Sequence, residues 1–330
     1  MATFTARTIS DDDLPAWHAL WDESPRFLAQ HPGYFSFAPT RAASAFGVWS
    51  GDRLVLAIAF HLLPLRGATM WSAPLFASFG GPLVSAATLA LTGLAAERFW
   101  RDALEALDAE LPASADIVEM LFPPGCHDAR PLVWKGWEAR PHYNYVSAWK
   151  EAGAWRHAME SSARRQERKA LAAGLTPIVR NASETDGLAR LWRLNAQRNK
   201  LDEELAAPLA ELGAWLAREE RGFLVEIANS KGEPETAALV GFDEHRVYYL
   251  AGASDPECLG SGAPTLLQTS ILAEIDRRDL PKYYDWVGAN TPGVARFKRH
   301  FGPELETLIA VRRTGRKARL IETGRRLLRP

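Results

Sequence analysis

Residues Tyr248–Gly302 read YYLAGASDPECLGSGAPTLLQTSILAEIDRRDLPKYYDWVGANTPGVARFKRHFG. An apolar strand enters a loop of small residues. A helix opens at Pro264, a second apolar strand ends at Asp285-Trp286, and a basic helix follows Pro292. This order sets a helix N-terminus and a glycine-containing loop beside a parted pair of strands. A phosphate-bearing or carbonyl ligand fits such a place, which points to transfer of an acyl group.

Working outward, the second half reads as one mixed α+β unit. Trp155–Gly174 is a strongly charged helix stopped by a glycine. Strands follow at Thr176–Arg180, Phe223–Asn229, Glu235–Phe242, Arg246–Gly252, Tyr283–Val287 and Leu305–Arg312. Helices are expected at Glu184–Lys200, Pro208–Glu220, Pro264–Arg277 and Pro292–Phe301. The first half holds a cruder version of the same order. A helix over Asp11–Trp21 precedes a hairpin, Phe46–Trp49 and Leu54–Leu65, joined through Ser50–Arg53. Phe76–Val84 passes through a Gly-Gly-Pro turn. Ala95–Leu111 is an amphipathic helix, and Asp116–Phe122 and Tyr143–Trp149 are strands. No strict repeat marks the duplication.

Composition sets bounds. The 330 residues are 47% hydrophobic and 24% charged, with a net charge of −1, as in an ordinary globular protein of one or two domains. The 12 Trp residues read as core packing ahead of sugar or lipid contacts. Cys126 and Cys258 lie far apart without metal spacing, which fits a reducing compartment and no metal site. The opening MATFTARTISDDDLPAW is acidic and does not read as a secretory leader, so a cytoplasmic protein is expected. Gly67–Ala96 carries no charge, yet Pro74 and Gly80-Gly81-Pro82 break it too often for a membrane span. The last 19 residues carry eight basic side chains against Glu322 alone. A helix over Ala318–Leu328 would set leucines against arginines, the profile of a membrane-surface or nucleic-acid contact, or of a helix docked on its own protein.

Four segments together resemble the Fem peptidyltransferases and the related tandem acetyltransferase-fold (GNAT) superfamily. They are Phe79-Gly80-Gly81-Pro82, Arg165–Ala170, Tyr249–Ser254, and Asp285–Asn290 with Phe297–Gly302. The resemblance spans roughly residues 40 to 311. It implies a mixed, mainly antiparallel sheet flanked by helices in each of two GNAT-like domains. These are a degenerate one over residues 1–150 and an acyltransferase over 151–312, followed by a basic tail over 313–330. It also implies transfer of an acyl or aminoacyl group to an amine, with acyl-CoA as co-substrate and no tightly bound cofactor. An acyl-carrier donor shares this leading reading, with a small-molecule or peptide amine as acceptor; the alternative is an aminoacyl-tRNA-dependent peptidyltransferase acting on a peptide or cell-wall precursor. A scaffold that binds without catalysis is the third reading. The common pyrophosphate loop, (Q/R)xxGx(G/A), is departed from at Leu259-Gly260-Ser261-Gly262-Ala263-Pro264, which keeps the small residues and lacks the leading basic or amide residue.

The candidate residues follow. Gly260, Ser261, Gly262 and Ala263, with Ser254 before them, would hold the donor; the same signal marks a plain helix entry. The strand bearing Tyr249 would offer backbone N–H groups to the acyl carbonyl. Asp285 is placed to accept or orient the amine's proton, and Asn290 to touch substrate or form a turn. In the resembling enzymes a lysine in the Phe-Lys setting of Phe297-Lys298 faces the transfer site, so Lys298 leads the catalytic set with Asp285 and Tyr249. His300 is a weaker candidate. Arg165, Arg168 and Lys169 form a basic helix face that suits phosphate, or a salt-bridged surface. Neither a nucleophile elbow nor a Walker loop is present, so direct attack by the amine is expected.

Overall fold

The computed structural model describes residues 4–35, 43–65, 68–113, 115–199 and 206–319. The strands are β1 (Phe4–Thr8), β2 (Ala43–Ser50), β3 (Arg53–Leu65), β4 (Ala68–Ser72), β5 (Ile117–Leu121), β6 (Glu138–Ala148), β7 (Thr176–Asn181), β8 (Gly222–Ala228), β9 (Pro234–Phe242), β10 (Val247–Ser254), β11 (Tyr283–Asp285) and β12 (Glu304–Thr314). The chain divides into two compact units. One takes the described residues of Met1–His142 and Thr307–Pro330, the other Tyr143–Glu306.

In the first unit the strand order is β1-β2-β3-β4-β5-β12. Every neighbour pair is antiparallel except β4 and β5, which run parallel. The helix Gly93–Glu110 makes the crossover between those two, as parallel strands require. It buries Trp100, Ala103, Leu104 and Leu107, one stripe at helical spacing, against Val48, Leu56, Ile58 and Met120 of the sheet. The helix Leu14–Asp22 packs Trp17, Leu20 and Trp21 on a second cluster with Trp49 and Leu54.

The second unit repeats the plan in the order β6-β11-β10-β9-β8-β7. Here β10 and β11 are the parallel pair, and the others are antiparallel. The helix Ala263–Arg277 makes the crossover. Ten of its residues are buried, on nearly every side, because it lies between the sheet and the helix Ser161–Ala172. Trp286, Tyr284 and Phe301 fill the core near the end of β11.

Several expectations change in detail. The charged helix over Trp155–Gly174 is two helices, Trp155–Ala158 and Ser161–Ala172. Met159 between them is extended, and the Glu160 N–H donates to the His300 carbonyl at 2.8 Å instead of continuing the helix. The strand expected over Tyr283–Val287 stops at Asp285, because Val287 and Gly288 both take left-handed backbone angles. Strand β1 was not foreseen: it is five residues of mixed burial with little apolar alternation. In the basic tail, Arg313 pairs with Asp108 at 3.0 Å and Lys317 lies 3.7 Å from Asp116. Most of the helix expected over Ala318–Leu328, from residue 320 on, falls outside the described residues. Among the described residues no helix is long and apolar enough to cross a membrane.

Candidate active site

The site begins where β10 and β11 part. The two strands pair only at Val247–Tyr284 and Tyr248–Asp285. Past Tyr248, the edge of β10 that faced β11 loses its partner, and backbone N–H and C=O groups alternate along such a free edge. The pairing of β10 with β9 also shifts between Tyr249 and Ala251, a bulge that bends the strand at the fork. A cavity of about 760 Å³ opens there. Its walls are β10, the glycine loop, and the helices Ser161–Ala172, Ala263–Arg277 and Pro292–Arg299.

Lys298 stands at this fork and is only 7% exposed. Its ammonium donates to the carbonyl oxygens of Trp286 at 2.5 Å, Val287, and Gly288 at 3.0 Å. Burial lowers its pKa to about 8 while Asp285 opposes the shift. Three acceptors for three donors favour the charged form. Val287 and Gly288 have φ values of +52° and +57°. A β-branched residue there is strained, and such strain persists only where neighbours hold it. The neighbours are visible: the Val287 N–H donates to Asp285 at 2.8 Å and the Gly288 N–H to Asn144 at 3.0 Å.

Below the turn lies a paired polar layer. Asp285, fully buried, sits 3.7 Å from the Arg246 guanidinium, which grips Glu306 at 2.8 and 2.9 Å. The Tyr248 hydroxyl donates to Asp243 at 2.6 Å. Tyr249 lines the cavity with its ring 5.9 Å from the Lys298 nitrogen. Burial pushes the Tyr249 phenol up to about 12, so it is a neutral donor at physiological pH. A Cβ on Gly252 would lie 1.7 Å from the Tyr249 hydroxyl, so glycine at 252 is what lets that ring lie along the strand.

The glycine loop is partly tied into the fold. Gly262 has φ +90°, and a Cβ there would meet the Gln166 carbonyl at 2.5 Å. The Ser261 hydroxyl donates to Glu235 at 2.9 Å and to the Cys258 carbonyl at 2.7 Å, and accepts the Ala263 N–H at 3.1 Å. The N–H groups of Ser261, Thr265 and Leu266 end on carbonyls of Cys258 and Gly262. Pro264 has none to give. Burial and the charges of Glu235, Asp255 and Glu257 hold the Cys258 thiol up at about 11.

Residues 158–299 match the acetyltransferase (GNAT) domain family. Those residues are similar to GNAT acetyltransferase domains, and the fold of the chain is that of tandem GNAT proteins. The whole chain has the fold of FemX, with 14% identity over 92% of this chain and 96% of that one, at a TM-score of 0.61. It is similar in the same way to the C-terminal domain of a lysylphosphatidylglycerol synthetase from Agrobacterium fabrum, at 12% identity, 96% coverage of both chains and a TM-score of 0.59. A tandem GNAT protein from the clavulanic acid biosynthesis pathway aligns at 15% identity over 94% of this chain and 98% of that one, with a TM-score of 0.55. No curated protein matches the sequence significantly.

Within this GNAT frame the expected residues scatter. Lys298, Tyr249, Ser254, Gly260 and Gly262 line the cavity; Ser261 of the loop and Ala263, which opens the helix, do not. Asp285 faces Arg246 and the turn rather than the cavity. Asn290 clamps the backbone of Tyr143, donating at 2.9 Å and accepting at 3.1 Å. Lys169 donates to the Gly260 carbonyl at 2.8 Å and so steadies the loop. Arg165 and Arg168 are exposed on the same helix.

His300 joins the lining, with Nδ1 2.7 Å from Glu160 and 3.4 Å from Ser162. All these contacts converge on one ring nitrogen. Ser162 is therefore no relay-activated nucleophile, since a triad needs opposite nitrogens. No sequence signal singles out Thr236, Thr265 and Gln268. Only their interior position in elements that form the cavity reveals them. Among the described residues no three His, Cys, Asp or Glu side chains gather as a metal site.

Proposed function

We propose that the second unit is an N-acyltransferase in which an amine attacks the carbonyl of a thioester donor directly. The observation that carries this reading is Lys298, a buried cation at the opening between β10 and β11 in a cavity large enough for an acyl group and its arm. The carbonyl sits between the free edge of β10 and the Lys298 charge. As the C–N bond forms, negative charge grows on the carbonyl oxygen. Backbone N–H groups of β10 and the Tyr249 hydroxyl donate to it, and Lys298 stabilises it through a low-dielectric medium. The tetrahedral species collapses with loss of the thiolate. His300, oriented by Glu160 through Nδ1, takes the amine's proton on Nε2. Asp285 shapes the turn that holds Lys298.

The donor is a thioester rather than an aminoacyl ester in this reading because, among the described residues, no Asp or Glu lines the cavity. An α-ammonium group would find no counter-charge there. The loop favours a donor without a diphosphate, since Glu235, Asp255 and Glu257 flank it and it lacks the leading basic or amide residue of the common pyrophosphate loop. An acyl group on a carrier-protein arm meets both conditions. A second reading, an aminoacyl-tRNA donor, draws on the exposed Arg165 and Arg168 beside the loop, which suit a phosphate backbone.

Thermal-shift titration with acetyl-CoA, with an acyl-carrier protein and with tRNA separates these. A saturable rise with the carrier alone supports the proposal. A rise with coenzyme A makes the loop irrelevant to donor choice. Retention of tRNA that falls steeply with salt moves the assignment to the second reading.

A further inference from the structure

The cavity holds polar groups that nothing in the reaction uses. Gln268 is 3% exposed. Its Oε1 accepts the Tyr284 hydroxyl at 3.0 Å, which fixes the amide so that its two N–H donors point elsewhere. Those donors have no partner among the described residues, and the residue lines the cavity. Thr265, 7% exposed, lies three positions earlier on the same helix face, and its hydroxyl is likewise without a described partner. The Tyr249 hydroxyl, which the proposed reaction uses, is close enough to Tyr284 for the two phenols to interact. The order along the cavity follows the helix. Gly260 and Gly262 stand at its start, then Thr265, then Gln268 beside Tyr284 of β11, one residue before Asp285.

Buried polar groups are normally satisfied. Thr265 and Gln268 instead face a mainly apolar cavity without a protein partner, where a bound ligand can complete them. Gln268 can only donate from its amide nitrogen, so the ligand must bring an oxygen acceptor.

We propose that Thr265 and Gln268 form a hydrogen-bonding subsite for a carbonyl or hydroxyl oxygen of the acyl donor, close to the reacting carbonyl. This rests on the acyl-transfer reading and names its substrate class: the protein selects a donor that is oxygenated near the thioester over one that is plain hydrocarbon. The oxygen can belong to the acyl group or to an amide of the arm behind the sulfur. A site built to hydrogen-bond an oxygen rejects the analogue lacking it far more strongly than an apolar pocket rejects one extra methylene, which is worth only about 10–200-fold.

The test is a two-by-two set of thioesters: butyryl or 3-hydroxybutyryl, each on N-acetylcysteamine or on a pentanethiol arm without the amide. Affinity is read by calorimetry and transfer by product formation with a panel of amines. The expected result is a loss of at least ~100-fold in affinity or kcat/KM when the recognised oxygen is removed. The row or column in which the loss occurs names the source. Gln268→Glu keeps the acceptor for Tyr284 and removes the amide donors, and Thr265→Val keeps the shape. Both should erase the preference with an unchanged melting temperature, and Gln268→Asn serves as a partial rescue where Gln268→Glu fails to fold.

Equal affinity for all four compounds, a preference that survives both substitutions, or no binding at millimolar ligand would each overturn the subsite. Transfer without preference removes the subsite and leaves the acyltransferase reading intact. Preferential binding without transfer to any amine does the reverse.

Discussion

Both units carry six strands in the same order, with one parallel pair that begins together and parts after two residues. In the first unit β4 and β5 pair only at Met70–Ile117 and Trp71–Val118. The chain then folds back through Phe79-Gly80-Gly81-Pro82. The N–H groups of Gly80 and Gly81 both donate to the Leu121 carbonyl at the end of β5, at 3.3 and 2.8 Å, and Leu83 bridges to Ala57. About 230 Å³ remains beside it. In the second unit the chain leaves β10 through the glycine loop, a bulge bends the strand, and about 760 Å³ stays open. The β3–β4 pairing has no corresponding shift. The lesson is that the shared topology creates the parting, and the connection after the fourth strand decides whether it becomes a site.

The largest test of this contrast is Lys298→Met, which removes the cation at similar length. Turnover should fall by about 10²–10³-fold, the scale of losing one preorganised electrostatic contact. Glu119→Gln, beside the small cavity of the first unit, should leave kcat within about twofold, because Glu119 pairs with Arg140 and not with the second unit's cavity. Equal losses at both places would mean that the first unit also takes part in the chemistry.

Next come the glycines. Gly81→Ala places a Cβ 2.6 Å from the Leu121 carbonyl, and Gly262→Ala places one 2.5 Å from the Gln166 carbonyl at φ +90°. Each should destabilise its unit by about 1–3 kcal/mol in denaturant titrations. If Gly81→Ala instead leaves stability intact, the return segment is not what fills the first unit.

A third test uses pH. Lys298 has a folded pKa of about 8 against its ordinary 10.5. Activity that needs its charge should fall as pH rises through 8, approaching tenfold per pH unit. Stability should move the other way. Between about pH 8 and 10.5 the unfolded chain binds more protons than the folded one, so unfolding free energy rises with pH in that window. Both slopes should vanish in Lys298→Met; persistence of either assigns it to another group.

The smallest expected effect is Gly260→Ala. Its Cβ would meet nothing within 4 Å. Stability should change by less than about 0.5 kcal/mol. A large loss would show that the loop depends on Gly260 for more than space.

Much of this was readable from one stretch of sequence. The strand, small-residue loop, helix, strand and basic helix of Tyr248–Gly302 stand where their apolar periodicity and glycines indicate, and the duplicated α+β plan follows from the cruder first half. Lys298 stands out in the sequence through its Phe-Lys setting, which resembles that of the Fem enzymes, beside the helix face shared by Phe297 and Phe301. Asp285 stands out as the end of an apolar strand, but its surroundings do not. Nothing in sequence brings Arg246 to 3.7 Å of its carboxylate or sets Val287 in a left-handed turn above it. Thr265 and Gln268 sit in a helix buried on almost every side, where a polar residue carries no periodic signal.

The sequence by itself determined which segments become strands and helices, since alternation, capping and turn residues act over a few neighbours. Tertiary structure alone decided which of two equivalent partings stays open, which lysine donors meet which carbonyls, and which buried polar groups lack a partner. Those outcomes depend on contacts between residues tens of positions apart, where a shift of one ångström changes a hydrogen bond into empty space.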